Sequence, residues 1–208
     1  MSMNRLKIYC LLVCGIFTLS SCSQLMLKAY GIKQTGTYQN QEIEKICKKY
    51  NVPANACYTL DTAYLGFLFQ QDSLYTKDQI NNHLQALQVL YFNENGLLTS
   101  YHVNCYAGGF PNLNWNRTGA FNTFTPTTTC PVDSIVSLDT QLKYIQPLLS
   151  KTTITKNKIH VFVYWNHFMG RQSKRLIELV KQNSQLTNAN NLEIHYVNND
   201  NFLAKALE

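Results

Sequence analysis

Four cysteines in the body of the chain are the residues whose type and spacing most constrain the chemistry. The sequence has 208 residues and seven cysteines, of which Cys47, Cys57, Cys105 and Cys130 form an even set. No Cys-x-x-Cys motif occurs, and the spacings match no common zinc pattern. In an oxidising compartment we expect two disulfides, Cys47 with Cys57 and Cys105 with Cys130. A redox-active cysteine pair is the functional alternative.

The five histidines show no spacing typical of a metal site. His160 and His195 fall in apolar segments that are predicted to form neighbouring strands, so their side chains can approach each other. Hydrogen-bonded structural histidines are the simpler interpretation, and we expect no metal and no other cofactor. The sequence also lacks a Gly-x-Ser-x-Gly, a Walker loop and a dinucleotide-binding motif.

Residues 108–117 are the best candidate for a ligand-binding loop. Aromatic and amide side chains alternate here before a cation, and the candidate contact residues are Phe110, Asn112, Trp115 and Arg117. Such a mixture can stack on a sugar or clasp a peptide. The alternative is that Phe110 and Trp115 fold back over the core, because large aromatic side chains are costly to leave in water.

The segment from 161 to 174 resembles the active-site region of the thioredoxin family. An apolar strand ends at Trp165, a second aromatic follows at Phe168, and Gly170 matches the glycine of that family's motif. The resemblance covers roughly residues 138–208 and implies a thioredoxin-like βαβ core. The alternative is the strand–turn–helix of a generic α/β fold. Because the chain ends soon afterwards, we expect the family's C-terminal hairpin to be absent.

The two cysteines that carry out chemistry in that family are replaced in this chain. Met169 and Gln172 stand at the cysteine positions, and Arg171 stands at the proline position. A methionine cannot form a thiolate and a glutamine cannot resolve a mixed disulfide, so the resemblance implies a redox-inactive domain. Arg171 and Ser173 near the start of a helix suit a phosphate or carboxylate instead, although an arginine there is often only solvated.

The N-terminus has the pattern of an export signal. Arg5 and Lys7 precede an apolar stretch, residues 8–19, which is too short to span a bilayer. The Leu-Ser-Ser-Cys run that ends at Cys22 resembles the lipobox of bacterial lipoproteins, which implies cleavage before Cys22 and acylation of its sulfur and its new amine. Two or more acyl chains anchor a protein stably. An ordinary signal peptide is the alternative.

The predicted location in the cell envelope and the net charge of the chain limit the possible partners. We expect a lipid-anchored protein of the cell envelope, in the outer membrane because Ser23 rather than aspartate follows Cys22. The chain has 18 Lys+Arg and 12 Asp+Glu, and removing residues 1–21 removes two bases, so the net charge falls from +6 to +4 (16 minus 12). This mild charge and the exported address exclude a nucleic-acid partner. The expected partners are the membrane, through the anchor, and an unknown protein or small-molecule ligand.

The chain divides into four predicted regions: a signal peptide (1–21), a lipid-anchored tether (22–40), a helical region (41–86) and a thioredoxin-like α/β domain (87–208). The predicted fold class is α/β, or α+β overall, with the helical region followed by a β-hairpin and a βαβαβ thioredoxin-like unit.

Local signals support individual elements of this division. Thr76 is a predicted helix N-cap, and Asn95-Gly96 is a hairpin turn signal. The helical period of 138–149 predicts a helix with a kink at Pro147. The apolar run 159–165 is typical of a strand buried on both faces.

These observations favour a membrane-anchored lipoprotein with a redox-inactive binding or scaffolding domain. One alternative is a divergent thiol–disulfide oxidoreductase that uses the cysteines of the mature chain. The other is a lipoprotein that binds a carbohydrate or a peptide through residues 108–117.

Overall fold

A computed structural model of the chain describes residues 30–148, 155 and 157–208. The predicted signal peptide and Cys22, the predicted lipidation residue, lie outside these residues. Within the described part, no helix is both long and apolar enough to cross a membrane.

Helices and strands are both abundant in the described part of the chain, which confirms the α/β class. The helices are α1 (Asn40–Lys49), α2 (Ala63–Phe69), α3 (Lys77–His83), α4 (Asn104–Ala107), α5 (Leu138–Tyr144), α6 (Gly170–Ser184) and α7 (Asp200–Ala206). The strands are β1 (Cys57–Leu60), β2 (Gln88–Phe92), β3 (Leu98–Val103), β4 (Ile145–Pro147), β5 (Ile159–Trp165) and β6 (Leu192–Asn198). Short 3₁₀ turns cover Ala54–Ala56, Ala120–Asn122 and Ala189–Asn191.

The strands form one mixed sheet in the order β3-β2-β5-β6-β1-β4. β5, β6 and β1 run parallel, whereas β2 pairs antiparallel with β5, and β3 and β4 are antiparallel edge strands. An apolar core covers each face of the sheet. Six of the seven residues of β5 are buried, because the strand lies between two neighbours and beneath both cores.

Local sequence signals correctly located the hairpin and the start of α3. β2 and β3 are joined by a turn that contains the Asn95-Gly96 dipeptide, with Gly96 at φ +75°. The Thr76 side chain accepts the Gln79 N–H and the Gln79 side chain accepts the Thr76 N–H, which forms a capping box. Both elements therefore form where their end residues predict.

Two short strands depart from the predicted pattern. The predicted helix 138–149 ends at Tyr144, and β4 follows as an edge strand in which Pro147, lacking an N–H, is tolerated. β1 lies inside the region predicted to be helical, and it supplies the third parallel strand beside β6. The C-terminal part thus contributes two parallel strands of the expected βαβαβ unit, and β1 contributes the third.

One of the two expected disulfides is confirmed. Cys47 at the end of α1 and Cys57 at the start of β1 are bonded with an S–S distance of 2.04 Å, and both side chains are buried. The bond ties the first helix to the sheet.

The expected pairing of Cys105 with Cys130 is wrong, because both are free cysteines. The Cys130 N–H donates to the Tyr101 carbonyl at 3.0 Å, so the thiol is held in the core beside β3. Cys105 is exposed on α4, and its thiol donates to Gln85 Oε1 at 2.8 Å.

Candidate binding site at the start of helix α6

The turn between β5 and α6 is organised by Asn166. The Asn166 Oδ1 accepts the Met169 N–H at 2.7 Å. Ser173 Oγ accepts the Asn166 N–H at 3.1 Å and donates to the Asn166 carbonyl at 2.7 Å. Ser173, a candidate anion ligand from the sequence, is therefore buried and occupied in closing the turn, so it is not placed to bind a ligand.

A buried carboxylate joins this turn to the end of the neighbouring parallel strand. Asp200 accepts the His167 N–H at 2.8 and 2.9 Å, the Phe168 N–H at 3.3 Å and the Asn198 Nδ2–H at 2.7 Å. Burial raises the pKa of Asp200, and these hydrogen bonds oppose the rise. The carboxyl ends of β5 and β6 are thus connected at the position where open α/β sheets most often bind ligands.

Residues 30–39, which we call the strap, cover this turn. The Lys33 N–H donates to the Phe168 carbonyl at 2.8 Å, and Lys33 Nζ lies 2.7 Å from His167 Nε2. The Tyr38 ring packs edge-on against the His167 ring at 5.4 Å. Part of the predicted tether is therefore docked on the domain.

Met169 and Gln172, which the resemblance to the thioredoxin family aligns with its two cysteines, are buried and cannot ionise. Met169 belongs to the apolar core beneath α6. Gln172 is fully buried, and neither its Oε1 nor its Nε2 has a hydrogen-bond partner within the described residues. No thiolate can form at either position of this turn.

A groove of about 630 Å³ lies between the candidate loop and the solvent face of α6. Its lining residues are Leu113, Asn114, Trp115, Asn116, Arg171, Lys174, Arg175, Glu178, Leu179 and Gln182. The described lining carries three cationic side chains and one carboxylate, so the groove has a formal charge of +2 (three minus one). Its apolar walls and basic rim favour a ligand that is both anionic and partly apolar.

The structure brings together the candidate residues from two distant parts of the sequence. Arg171 and Trp115 both line the groove, and the Asn112 Oδ1 accepts a hydrogen bond from the Arg175 guanidinium. Lys174 and Arg175 were not among the residues predicted from the sequence. The signal that could have found them is their spacing of three and four residues from Arg171, which places all three cations on one helix face.

The two aromatic residues of the loop behave differently. Trp115 is 6% exposed and packs into the core, as expected if the loop covers the core, and it also lines the groove. Phe110 is 66% exposed and does not cover the core. Arg117 faces a second, smaller cavity of about 340 Å³ with Thr118 and Thr128. Phe110 and Arg117 are therefore not part of the groove.

Backbone geometry holds the loop in place against α6. Gly109 has φ +73°, and a Cβ there would lie 2.9 Å from the Asn112 carbonyl oxygen. The Asn116 side chain accepts the Phe121 N–H at 2.9 Å and donates to Asn122 Oδ1 at 2.8 Å. The groove wall is thus held by the loop's own hydrogen bonds before any ligand binds.

The free cysteines are poorly suited to thiol chemistry as a pair. Burial, and then the charges of Asp133 and Cys105, raise the pKa of Cys130 to about 12. The Cys130 thiol is therefore protonated at neutral pH and is a weak nucleophile. The Cys47–Cys57 disulfide is buried, which separates it from a protein substrate.

Two further histidines fit the structural interpretation. His83 Nε2 lies 3.0 Å from Asp133 Oδ1, and His83 stacks on the Tyr101 ring. His102 is placed between the hydroxyl groups of Ser100 and Thr129, at 2.9 Å from each. Both side chains are buried and hydrogen-bonded.

No protein-family model, no curated protein and no solved structure matches this chain. The residues of the groove and of the β5–α6 turn are therefore the basis for assigning a function.

Proposed function

We propose that this protein is a lipid-anchored, redox-inactive thioredoxin-like module that binds an acidic segment of a protein partner in the groove beside α6. The observation that carries the proposal is the convergence of Arg171, Lys174 and Arg175 on a single cavity with an apolar wall at Trp115. An extended peptide with alternating acidic and apolar side chains matches such a surface, because cations meet its charges and the wall buries its apolar groups.

The sheet supports the thioredoxin-like part of the proposal. β5 leads through the Trp165 turn into α6 and then into the parallel strand β6, as the family resemblance implies. An antiparallel hairpin, β2–β3, lies beside β5, although it precedes the βαβ unit in the chain instead of following it. The hairpin that was expected to be missing at the C-terminus thus has an upstream counterpart.

The residues of the turn support the redox-inactive part. Met169 and Gln172 supply no thiol at the helix start, and Cys130 is protonated because its pKa is about 12. The rival oxidoreductase would need a thiolate near a substrate surface. Cys105 alone is exposed among the described cysteines, and its thiol is engaged with Gln85.

Peptide binding tests the groove directly. Full-length protein in detergent is titrated with a fluorescent decapeptide of alternating Glu and Leu, and with its Lys–Leu counterpart. We expect the acidic peptide to bind at least tenfold more tightly, with weaker binding at high salt. Lys174→Glu should weaken acidic-peptide binding by about tenfold, since it reverses a charge in the groove.

Lys205→Glu is the matched control, because it makes the same charge change at an exposed position of α7 outside the groove. An equal loss of affinity in Lys205→Glu would show that only net charge matters. Equal affinity for the two peptides would reject the groove as the ligand site.

The lipid anchor is tested at the residue that carries it. Cys22→Ser should abolish incorporation of labelled fatty acid and leave the precursor uncleaved, because the sulfur that accepts the diacylglycerol is gone. A mature N-terminus elsewhere, with no acyl mass in the wild-type protein, would reject the anchor.

A further inference from the structure

Three side chains on the parallel strands β5 and β6 bring potential metal ligands together on one face of the sheet. The strand register pairs His160 with Glu193 and Phe162 with His195, so both histidines and the glutamate point to the same side. His160 Nδ1 lies 3.0 Å from His195 Nε2 and 3.8 Å from Glu193 Oε2. The three ligand atoms all lie within 4.8 Å of one another.

We propose that His160, Glu193 and His195 form a binding site for a divalent transition-metal ion, with Zn²⁺ as the preferred ion. Zinc binds imidazole nitrogen at about 2.0–2.1 Å and carboxylate oxygen at about 2.0–2.2 Å, which places tetrahedral ligand atoms roughly 3.3–3.5 Å apart. The observed separations bracket that value, so small side-chain movements would complete the coordination. A set of three protein ligands leaves a fourth position for water or a ligand atom.

The surroundings of His160 orient it for this role. His160 Nε2 lies 3.1 Å from the Thr155 carbonyl oxygen, which can only accept a hydrogen bond. The Nε2 atom therefore carries the proton, and the lone pair of the neutral ring is on Nδ1, directed at His195 and Glu193. Hydrogen bonding of the non-ligating nitrogen to a backbone carbonyl is common among metal-binding histidines, because it sets the tautomer.

His195 can offer its Nε2 to a cation after a change of tautomer. Its side chain is buried, packed between the rings of Phe162 and Tyr58, and its Nδ1 has no hydrogen-bond partner among the described residues. Because His160 Nδ1 accepts, His195 Nε2 carries the proton of the hydrogen bond between the two rings, and this proton has to move to His195 Nδ1 when Nε2 binds a metal ion.

Glu193 is partly exposed to solvent, and Lys158 competes with a metal ion for its carboxylate. Its side chain is 20% exposed, and its carboxylate lies 3.3 Å from Lys158 Nζ. The Thr155 N–H also donates to Glu193 at 3.3 Å. His160 lines a cavity of about 530 Å³ on the same side. A metal ion would replace Lys158 as the cation that neutralises Glu193.

Calorimetric titration of the full-length protein with Zn²⁺, in detergent after removal of metals with a chelator, tests the site. We expect one zinc ion per chain with a dissociation constant of about 1 µM or below. His195→Ala and Glu193→Gln should each weaken binding at least tenfold. Lys158→Ala should strengthen binding several-fold, because it removes the cation that competes for Glu193.

Two controls separate this site from general metal binding. Glu44→Gln changes a carboxylate on α1, far along the chain from β6, and should leave the affinity unchanged. Cys105→Ser removes the exposed free thiol and should also have no effect. The Co²⁺ form of the wild-type protein should show the intense visible bands of a tetrahedral site, which gives a result even if a histidine variant does not fold.

Absence of stoichiometric Zn²⁺ binding by the wild-type protein would overturn the proposal. Unchanged affinity in Glu193→Gln, weaker binding in Lys158→Ala, loss of binding in Cys105→Ser or an octahedral Co²⁺ spectrum would each overturn it as well. The metal site does not depend on the acidic-peptide groove, so either proposal can fail alone.

Discussion

The carboxylate of Asp200 accepts the backbone N–H of His167 at 2.8 and 2.9 Å, and this contact joins the first turn of α7 to the turn that follows β5. The same turn accepts the strap, since the Phe168 carbonyl receives the Lys33 N–H. One buried carboxylate thus supports the segment that leads into the basic face of α6. The order of this segment depends on a side chain more than thirty residues further along the chain.

Asp200→Asn should lower the free energy of unfolding by about 2 kcal/mol, measured by urea denaturation. The His167 N–H and the Asn198 amide now donate to the carboxylate. The N–H₂ group of the asparagine would face one of these donors, so a hydrogen bond would be lost. Hydrogen exchange at the Lys33 amide should accelerate, because the turn that binds it loosens. The matched control, Asp72→Asn at an exposed position, should change neither quantity. Equal stability of the two variants would contradict the supporting role of Asp200.

Thiol labelling should distinguish Cys105 from Cys130. In the native protein an alkylating reagent should modify Cys105 quickly, because it is exposed, and should leave Cys130 unmodified, because it is buried and its pKa is raised to about 12. Urea without reductant should expose Cys130 and leave Cys47 and Cys57 joined. Peptide mapping by mass spectrometry identifies the modified cysteines in the native protein and in urea. A Cys105–Cys130 peptide in the non-reduced digest would restore the pairing that the sequence suggested.

The stability of the protein should fall in acid partly through His102. Burial lowers the pKa of His102 from 6.5 to about 4 in the folded protein. The unfolded chain therefore takes up the proton first, and stability is lost as the pH falls from 6.5 towards 4. From pH 7 to pH 4.5 this group should remove about 2 to 3 kcal/mol.

His102→Gln tests that loss, because glutamine can still bond to Ser100 and Thr129 and does not titrate. Urea denaturation at pH 7 and at pH 4.5 should show a smaller acid loss in the variant than in the wild type. The same acid loss in both proteins would assign the effect to other groups, such as His195, whose pKa is also lowered.

The wild-type protein should not catalyse reduction of insulin by dithiothreitol, because the α6 start carries no thiol. The double variant Met169→Cys, Gln172→Cys should form a disulfide, since residues three apart at a helix start lie within the Cα range of that bond. Mass spectrometry after alkylation measures it, with each single variant as control. Wild-type activity that disappears in Cys105→Ser would favour the oxidoreductase alternative. Failure of the double variant to oxidise would argue against a thioredoxin-like turn.

Several elements could be predicted because their signals are local. The cap at Thr76 and the turn at Asn95-Gly96 act within four residues, so they form with little help from the rest of the chain. The apolar run of β5 indicated its burial on both faces for a similar reason. The contact of His160 with His195 followed from placing two such strands side by side.

Other features depend on partners that are distant in the chain. β1 has only four residues, and its strand conformation is stabilised by hydrogen bonds to β4 and β6. Cys130 is held beside β3 by a backbone hydrogen bond to Tyr101, and this contact cannot be inferred from the spacing of the cysteines. The docking of the strap depends in the same way on Phe168, far from it in sequence.

Sequence signals predicted β5, the β2–β3 hairpin, the start of α3 and the lack of cysteines in the β5–α6 turn, but they placed helices where β1 and β4 form. The groove shared by Trp115 and Arg171, and the approach of Glu193 to two histidines, arise only when the chain folds. The physical reason is range: capping, turn and periodicity signals act over a few residues, whereas a site is assembled by sheet pairing and core packing between segments far apart in the chain.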